Sequence, residues 1–340
     1  MSMARKLYLA LVVAVGVACA FSARADNTAT LRLATIAPEG SAWARELAAY
    51  ARDVQSGTQG AVRIKIYYSG IAGDEFTVLD RIKRDQLDGA VASESCMYLA
   101  PSMKVTRIAG LFQHRGETDY VMTRLKSVLD KEFLQSGFVN MGEATLGPEV
   151  LFTRTPIRTL AELRATRLWV WDLDKSLQQQ ARAMGLKIVP RPIEAAARAY
   201  DEHAVDGFIA VPTATLAFQW SAQAHYLEDL RISYRNGCVF YASRAFDALS
   251  IDAQRYIRSA NAKLRARIDD LGTKQDAQLL GGLFARQGVQ TIPVSARFMS
   301  EFFELARDVR ARPDNHVVDP KLIEQVLAWL ADYRAEHNPR

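Results

Sequence analysis

The residues able to catalyse or coordinate are present but dispersed. The five histidines, His114, His203, His225, His316 and His337, have no second His or Cys at metal-ligand spacing. A nucleophile elbow, a phosphate-binding loop, a dinucleotide fingerprint and the His-Glu-x-x-His zinc motif are missing. Cys96 with a distant His, or Glu94, would serve a periplasmic hydrolase, but one Cys at a strand end is more often packing. Asp172 and Asp174 suggest a cation site, yet alone they read as turn and helix-cap residues. Ser93-Glu94-Ser95 falls where a strand meets a helix, so it either offers hydrogen bonds to a ligand or caps the helix. No catalytic residue, metal ligand or cofactor is expected, and the chain reads as a non-enzyme.

The elements around these residues repeat. Leu31 to Ile36 alternates as a strand, and Ser41 N-caps a helix whose apolar face is Trp43, Leu47, Tyr50 and Val54. Gly57 and Gly60 end that helix. Val62 to Tyr67 is a second strand, Glu75 to Arg84 a helix, and Leu87-Asp88-Gly89-Ala90-Val91-Ala92 a buried strand. The order recurs after a capping box at Thr159-Leu160-Ala161-Glu162. There the strand Arg167 to Trp171, the helix Lys175 to Met184, the strand Leu186 to Val189 and the helix Glu194 to Glu202 precede Val205-Asp206-Gly207-Phe208-Ile209-Ala210. Such alternation means parallel βαβ units, hence two parallel-sheet α/β domains. Gly137 to Thr155 and Leu230 to Ser243 are extended and carry the chain across twice, a double hinge. Helices at Ile251–Leu271, Lys274–Phe284, Ala296–Arg310 and Pro320–Glu336, with a short strand at Val289–Ile292, complete the chain.

The 340 residues, with 49% apolar and 24% charged, suit a globular protein of two domains. Arg5 and Lys6, the apolar run Leu7 to Ala20 and the Ala23-Arg24-Ala25 site read as a cleavable export signal, with Asp26 as the new N-terminus. Cys19 lacks the aliphatic residue three positions upstream that lipid attachment wants, so a lipoprotein ranks second. Cleavage leaves 40 basic against 38 acidic residues, or +2, which gives no electrostatic case for nucleic acid. Cys96 and Cys238 are expected as buried free thiols, although an oxidising compartment permits a disulfide.

In open α/β sheets ligands bind beyond the carboxyl ends of the strands, and two such domains on a double hinge close around a small molecule. Residue chemistry alone thus leads to an exported solute-binding protein.

Three segments carry a family resemblance: Leu33-Ala34-Thr35-Ile36-Ala37-Pro38-Glu39-Gly40-Ser41, Tyr68-Ser69-Gly70-Ile71-Ala72-Gly73-Asp74-Glu75 and Gln86-Leu87-Asp88-Gly89-Ala90. With Pro156-Ile157-Arg158-Thr159-Leu160-Ala161-Glu162-Leu163-Arg164, the chain resembles the DctP-type solute-binding proteins of tripartite ATP-independent periplasmic (TRAP) transporters. The resemblance implies a periplasmic-binding-protein type II-like fold with added C-terminal helices, and a partner permease in the membrane. A sensor that presents its ligand to a receptor is the alternative role. The family places a carboxylate-clamping arginine on the strand after the last motif. Here that strand reads Arg167-Leu168-Trp169-Val170-Trp171, with Trp169 in the arginine's place, as in a divergent branch.

The expected domains are 1–25 as signal peptide; 26–148 with about 237–272; 149–236 with about 286–318; and 319–340 as a C-terminal helix. The expected ligand contacts are Pro38, Glu39, Ser41, Tyr68, Gly73, Asp74, Ser93, Glu94, Phe112, Trp169, Trp171, Phe208, Pro212 and Trp220. An indole offers one N–H and a large apolar face where guanidinium offers a bidentate clamp, so the solute is expected to be apolar or aromatic instead of a simple dicarboxylate. In the competing expectation Arg154, Arg167 or Arg191 takes over the clamp. Trp43 is assigned to the core face of its helix, and the oligomeric state is left open.

Overall fold

The computed structural model describes residues 28–337, so the expected export signal, its cleavage site and Cys19 lie outside the described residues. The first unit runs β1 (Ala29–Thr35), α1 (Ala42–Gly57), β2 (Val62–Tyr67), α2 (Glu75–Lys83) and β3 (Gly89–Ala92). Strands β2 and β3 lie parallel to β1 on its two sides. Ser41 Oγ accepts the Ala44 N–H at 3.1 Å, and Asp74 Oδ1 accepts that of Thr77 at 2.7 Å, which starts the two helices. A short helix α3 (Glu94–Leu99) and a long helix α4 (Arg115–Gln135) follow. Helix α4 has no counterpart in the sequence reading, although Val121, Leu125, Leu129 and Phe133 mark its buried face.

The second unit comprises β4 (Phe138–Thr153), α5 (Leu160–Ala165), β5 (Arg167–Trp171), α6 (Lys175–Ala183), β6 (Lys187–Arg191), α7 (Ala196–Asp201) and β7 (Gly207–Ala210). The capping box forms, with Glu162 N–H donating to Thr159 Oγ1 and Thr159 N–H to Glu162 Oε2, each at 3.2 Å. Strands β6 and β7 flank β5 in parallel. One device recurs in both units. Arg32 on β1 forks onto Asp88 at 2.8 and 3.0 Å, and Arg167 on β5 forks onto Asp206 at 2.8 and 2.7 Å. The Gly after each Asp lets a strand approach closely. A Cβ on Gly89 would sit 2.3 Å from Phe240 O, and one on Gly207 would sit 2.7 Å from Phe152 O. The repeated Asp-Gly is therefore a lock between strands.

The chain continues through α8 (Pro212–Ala217), β8 (Tyr226–Ala242), α9 (Ser243–Asp247), α10 (Ile251–Gln278), β9 (Gln290–Ile292), α11 (Ala296–Arg310) and α12 (Pro320–His337). The two extended crossings pair with each other. Strands β4 and β8 run antiparallel and complete one sheet in the order β2-β1-β3-β8-β4-β7-β5-β6, with β9 on β8. The parallel units are thus joined by an antiparallel ribbon inside a mixed sheet. Register shifts at Asn140/Glu143, Thr145/Gly147 and Glu149/Leu151 bend that ribbon between the lobes.

Each lobe buries both sheet faces. Leu168 and Val170 enter one core of the second lobe, while Trp169 and Trp171 face another, as strand alternation requires. Helix α12 returns to the first lobe, where Ile323, Val326 and Leu330 pack into the core and Arg334 holds Glu117 at 2.6 Å.

Two expectations are corrected. The expected helices at 251–271 and 274–284 are one 28-residue helix, α10, followed by an irregular turn at Leu279–Leu283. Gly272 does not break it: a Cβ there would lie 2.9 Å from Leu146 O and 2.7 Å from Arg115 Nη2, so this glycine admits β4 against the helix. Cys96 and Cys238 are a disulfide, not free thiols, with Cα atoms 6.1 Å apart. Cys238 pairs in register with Ala92, and one turn of α3 carries Cys96 back over it. That register joins residues 142 positions apart and is invisible in the spacing.

Candidate functional site

A cavity that opens to solvent lies between the lobes at the carboxyl ends of β1, β3, β5 and β7. The first lobe contributes Thr35, Ile36, Ala37, Trp43, Leu47, Val91, Ala92 and Ser93. The second contributes Trp169, Trp171, Ile209, Ala210, Val211, Phe218 and Trp220. The central ribbon supplies Gly142, Ala144, Leu146, Glu149, Arg235, Gly237, Cys238 and Val239, and α10 supplies Asn261, Leu264, Arg265 and Ile268.

The second-lobe wall is an aromatic stack. Trp169 meets Trp220 edge-on with ring centroids 5.0 Å apart, and Phe218 stacks on Trp220 at 5.1 Å. Phe208 supports Trp220 from behind at 5.6 Å and stacks on Phe152 at 5.2 Å. Arg235 lies 5.8 Å from the Trp171 ring centre. These contacts fix the indole planes before any solute arrives.

Beside this wall sits a buried ionic cluster. Arg107 reaches Glu149 at 2.7 Å and also bonds Asp174. Arg235 bonds Glu94 at 2.6 Å, Asp174 at 2.7 Å and Glu149 at 2.9 Å, and its Nη1 donates to Ser93 Oγ at 3.0 Å. Asp174 also caps α6 through the Leu177 N–H at 2.9 Å. Burial pushes the Glu149 and Asp174 carboxyls up, but Arg107 and Arg235 together outweigh it and hold both below the usual range. Two guanidiniums cannot neutralise three carboxylates. Burial, then the Asp174 charge, pushes Glu94 up to about 8, so Glu94 keeps a proton at neutral pH. The cluster is then electrically neutral and every guanidinium in it is engaged. Glu75 is engaged too: it accepts the N–H groups of Ser93 at 3.0 Å and Ser95 at 2.8 Å. It is Glu75, not the Ser93 side chain, that caps α3.

Of the residues expected from sequence, Ser93, Trp169, Trp171 and Trp220 line the cavity. Ser41 and Asp74 cap helices, and Gly73 adopts φ +100° beside Asp74. Pro38 and Tyr68 are half-buried, Glu39 is exposed, and none of the three lines the cavity. Glu94 stands behind Arg235, Phe112 lies in the first-lobe core, Phe208 backs Trp220, and Pro212 begins α8. Trp43 packs half-buried against the first-lobe core, as its helix face implies, and also forms part of the cavity wall. The three alternative arginines lie elsewhere. Arg154 sits over Tyr200, Arg167 is bound to Asp206, and Arg191 is exposed at the end of β6. The sequence reading missed Arg107, Glu149, Arg235 and the whole contribution of α10. Only the interruption of an extended stretch by Gly237, two residues after Arg235, marked that place.

A family model described as bacterial extracellular solute-binding protein, family 7 (DctP), matches residues 33–312. The chain belongs to this family. A search of curated proteins finds no match. Among solved structures, a Bordetella pertussis extracytoplasmic solute receptor binding pyroglutamic acid superposes with a TM-score of 0.80 at 17% identity, covering 89% of this chain and 99% of that one. A TRAP periplasmic solute-binding protein from Desulfovibrio salexigens with bound orotic acid gives 0.79 at 18% identity, covering 90% and 99%. One from Xanthobacter autotrophicus with bound β-D-galacturonate gives 0.79 at 18%, covering 88% and 99%. The two-lobed fold is common to all of them. No helix among the described residues is long and apolar enough to cross a membrane.

Proposed function

We propose that this protein is the periplasmic receptor subunit of a TRAP transporter, which captures a small organic solute between its lobes and presents it to membrane permease subunits. Family membership supports the role, and the carrying observation is the cavity itself: aromatic on one side and bordered by buried charges that already satisfy one another. The lobes divide near residues 148 and 237 of the central ribbon and close about it, with Ser93, Trp169, Trp171, Trp220 and Trp43 meeting the solute. An acid approaching Arg235 would compete with Glu94, Glu149 and Asp174 for the same guanidinium. The solute is therefore a largely apolar or aromatic molecule and not a short dicarboxylate. In this reading the chain catalyses no reaction. The disulfide removes the Cys96 thiol that a hydrolase would use, and Arg235 holds Glu94. The chain is exported, with Asp26 as its mature N-terminus and no lipid on Cys19. Mass spectrometry of the solute released on denaturing the protein from periplasm tests the reading. An apolar or aromatic compound at about one equivalent is expected; a short dicarboxylate would refute it.

A further inference from the structure

The cavity contains a second arginine that the ionic cluster does not use. Arg265 lies on the face of α10 that also presents Asn261, Leu264 and Ile268 to the cavity, and its side chain is exposed. Among the described residues no carboxylate lies within 4.0 Å of it to form an ion pair. Its neighbour one turn along, Asp269, accepts the Thr145 N–H at 3.0 Å and lies 3.7 Å from Arg115, and it feels the Arg265 charge without forming an ion pair with it. The next arginine, Arg267, binds Glu46 at 2.7 Å and Asp53 at 3.4 Å. The aliphatic part of the Arg265 side chain passes over the Gly142 backbone, where a Cβ would meet Arg265 Cδ at 3.9 Å, an ordinary van der Waals contact.

Arg265 and the stacked tryptophans belong to different walls. Arg265 is on the helix that packs against α1 and the first half of β4, whereas Trp169 and Trp220 belong to the second lobe. Arg235, between them, is already bound by the Glu149 and Asp174 carboxylates and the Glu94 carboxyl. We infer that Arg265 is the carboxylate anchor of this site, and that its solute is an elongated apolar acid whose acid group lies on α10 and whose body lies against the tryptophans. This rests on the receptor reading above and adds to it a chemical polarity and a residue outside β5. An uncommitted guanidinium bonds a carboxylate through two parallel N–H groups, and its position at the mouth avoids the desolvation that a buried charge costs.

Calorimetry on the full mature chain, freed of bound solute by unfolding and refolding, tests it with 5-phenylvalerate and its neutral amide, 5-phenylvaleramide. The wild type should bind the acid about tenfold more tightly than the amide, since a charge-assisted bond is discounted at an exposed site. Arg265→Gln should abolish that preference by weakening the acid far more than the amide, and Arg265→Lys should restore part of it. A merely structural role would weaken both compounds equally in Arg265→Gln, and that result would overturn the inference. So would a preference that survives the substitution, or a wild type that does not distinguish acid from amide. If neither compound binds the wild type, the aromatic-cavity reading falls and the anchor falls with it.

Discussion

Glu94→Gln isolates the one carboxyl that the cluster cannot ionise at neutral pH. In the folded protein Glu94 holds its proton up to about 8, chiefly because it is buried and then because of Asp174; its ordinary value is 4.5. Between those values the folded state binds a proton that the unfolded state has released. The stability this contributes is full below pH 4.5 and is lost as pH rises towards 8. One proton gives a slope of about 1.4 kcal/mol per pH unit, so the wild type should lose on the order of 3 kcal/mol through this group between pH 5 and 7.5. The substituted amide would keep an oxygen acceptor for Arg235 and would not titrate. Other raised carboxyls, Glu228 at about 7 and Asp276 at about 6, slope in the same sense and cancel in the comparison. Urea denaturation of wild type and Glu94→Gln at both pH values reads the difference. The variant should be the less pH-sensitive of the two. Parallel loss of stability in both proteins would mean that Glu94 is ionised in the fold and that the charge count is wrong.

Removing the disulfide with Cys96→Ala and Cys238→Ala together should cost up to about 5 kcal/mol, since the bond closes a loop of 142 residues; an unchanged urea midpoint would contradict this. Trp169→Ala should destabilise the fold by about 3–5 kcal/mol because the ring is buried against Trp220. Trp169→Phe should keep the fold and weaken binding of the released solute roughly tenfold, as read by calorimetry. Neutralising Arg154, Arg167 or Arg191 should leave that affinity within about twofold, because these residues do not line the cavity; a large loss in any one would locate the clamp there.

The parallel units were legible in the sequence because each strand and helix carries its own periodicity. Arg167 to Trp171 is a strand with the same bounds in both readings, and the Thr159–Glu162 capping box forms as read. The paired Asp-Gly steps were visible as a repeat, but their arginine partners were not, since Arg32 and Asp88 are 56 positions apart. The cavity was legible where it depends on strand ends, as with Trp169 and Trp171, and illegible where it depends on register. Arg235 reaches Glu149 because β4 and β8 pair with three irregularities, and no local pattern encodes those. Trp43 shows the limit of helix periodicity, which identified the inward face of α1 but could not say that part of this face borders a cavity. The break expected between Leu271 and Lys274 is absent, and Gly272 within that interval is a close contact with β4.

The central claim is that solute binds among the tryptophans, and four of the five in the chain, Trp43, Trp169, Trp171 and Trp220, wall the cavity while Trp329 packs on the first-lobe core. Titrating solute-free protein with the compound released on denaturation, while following tryptophan emission, tests it directly. The expected result is a saturable change in emission at one equivalent, undiminished in Trp329→Phe. Calorimetric binding of the same compound with no change in emission would place the solute elsewhere and contradict the claim.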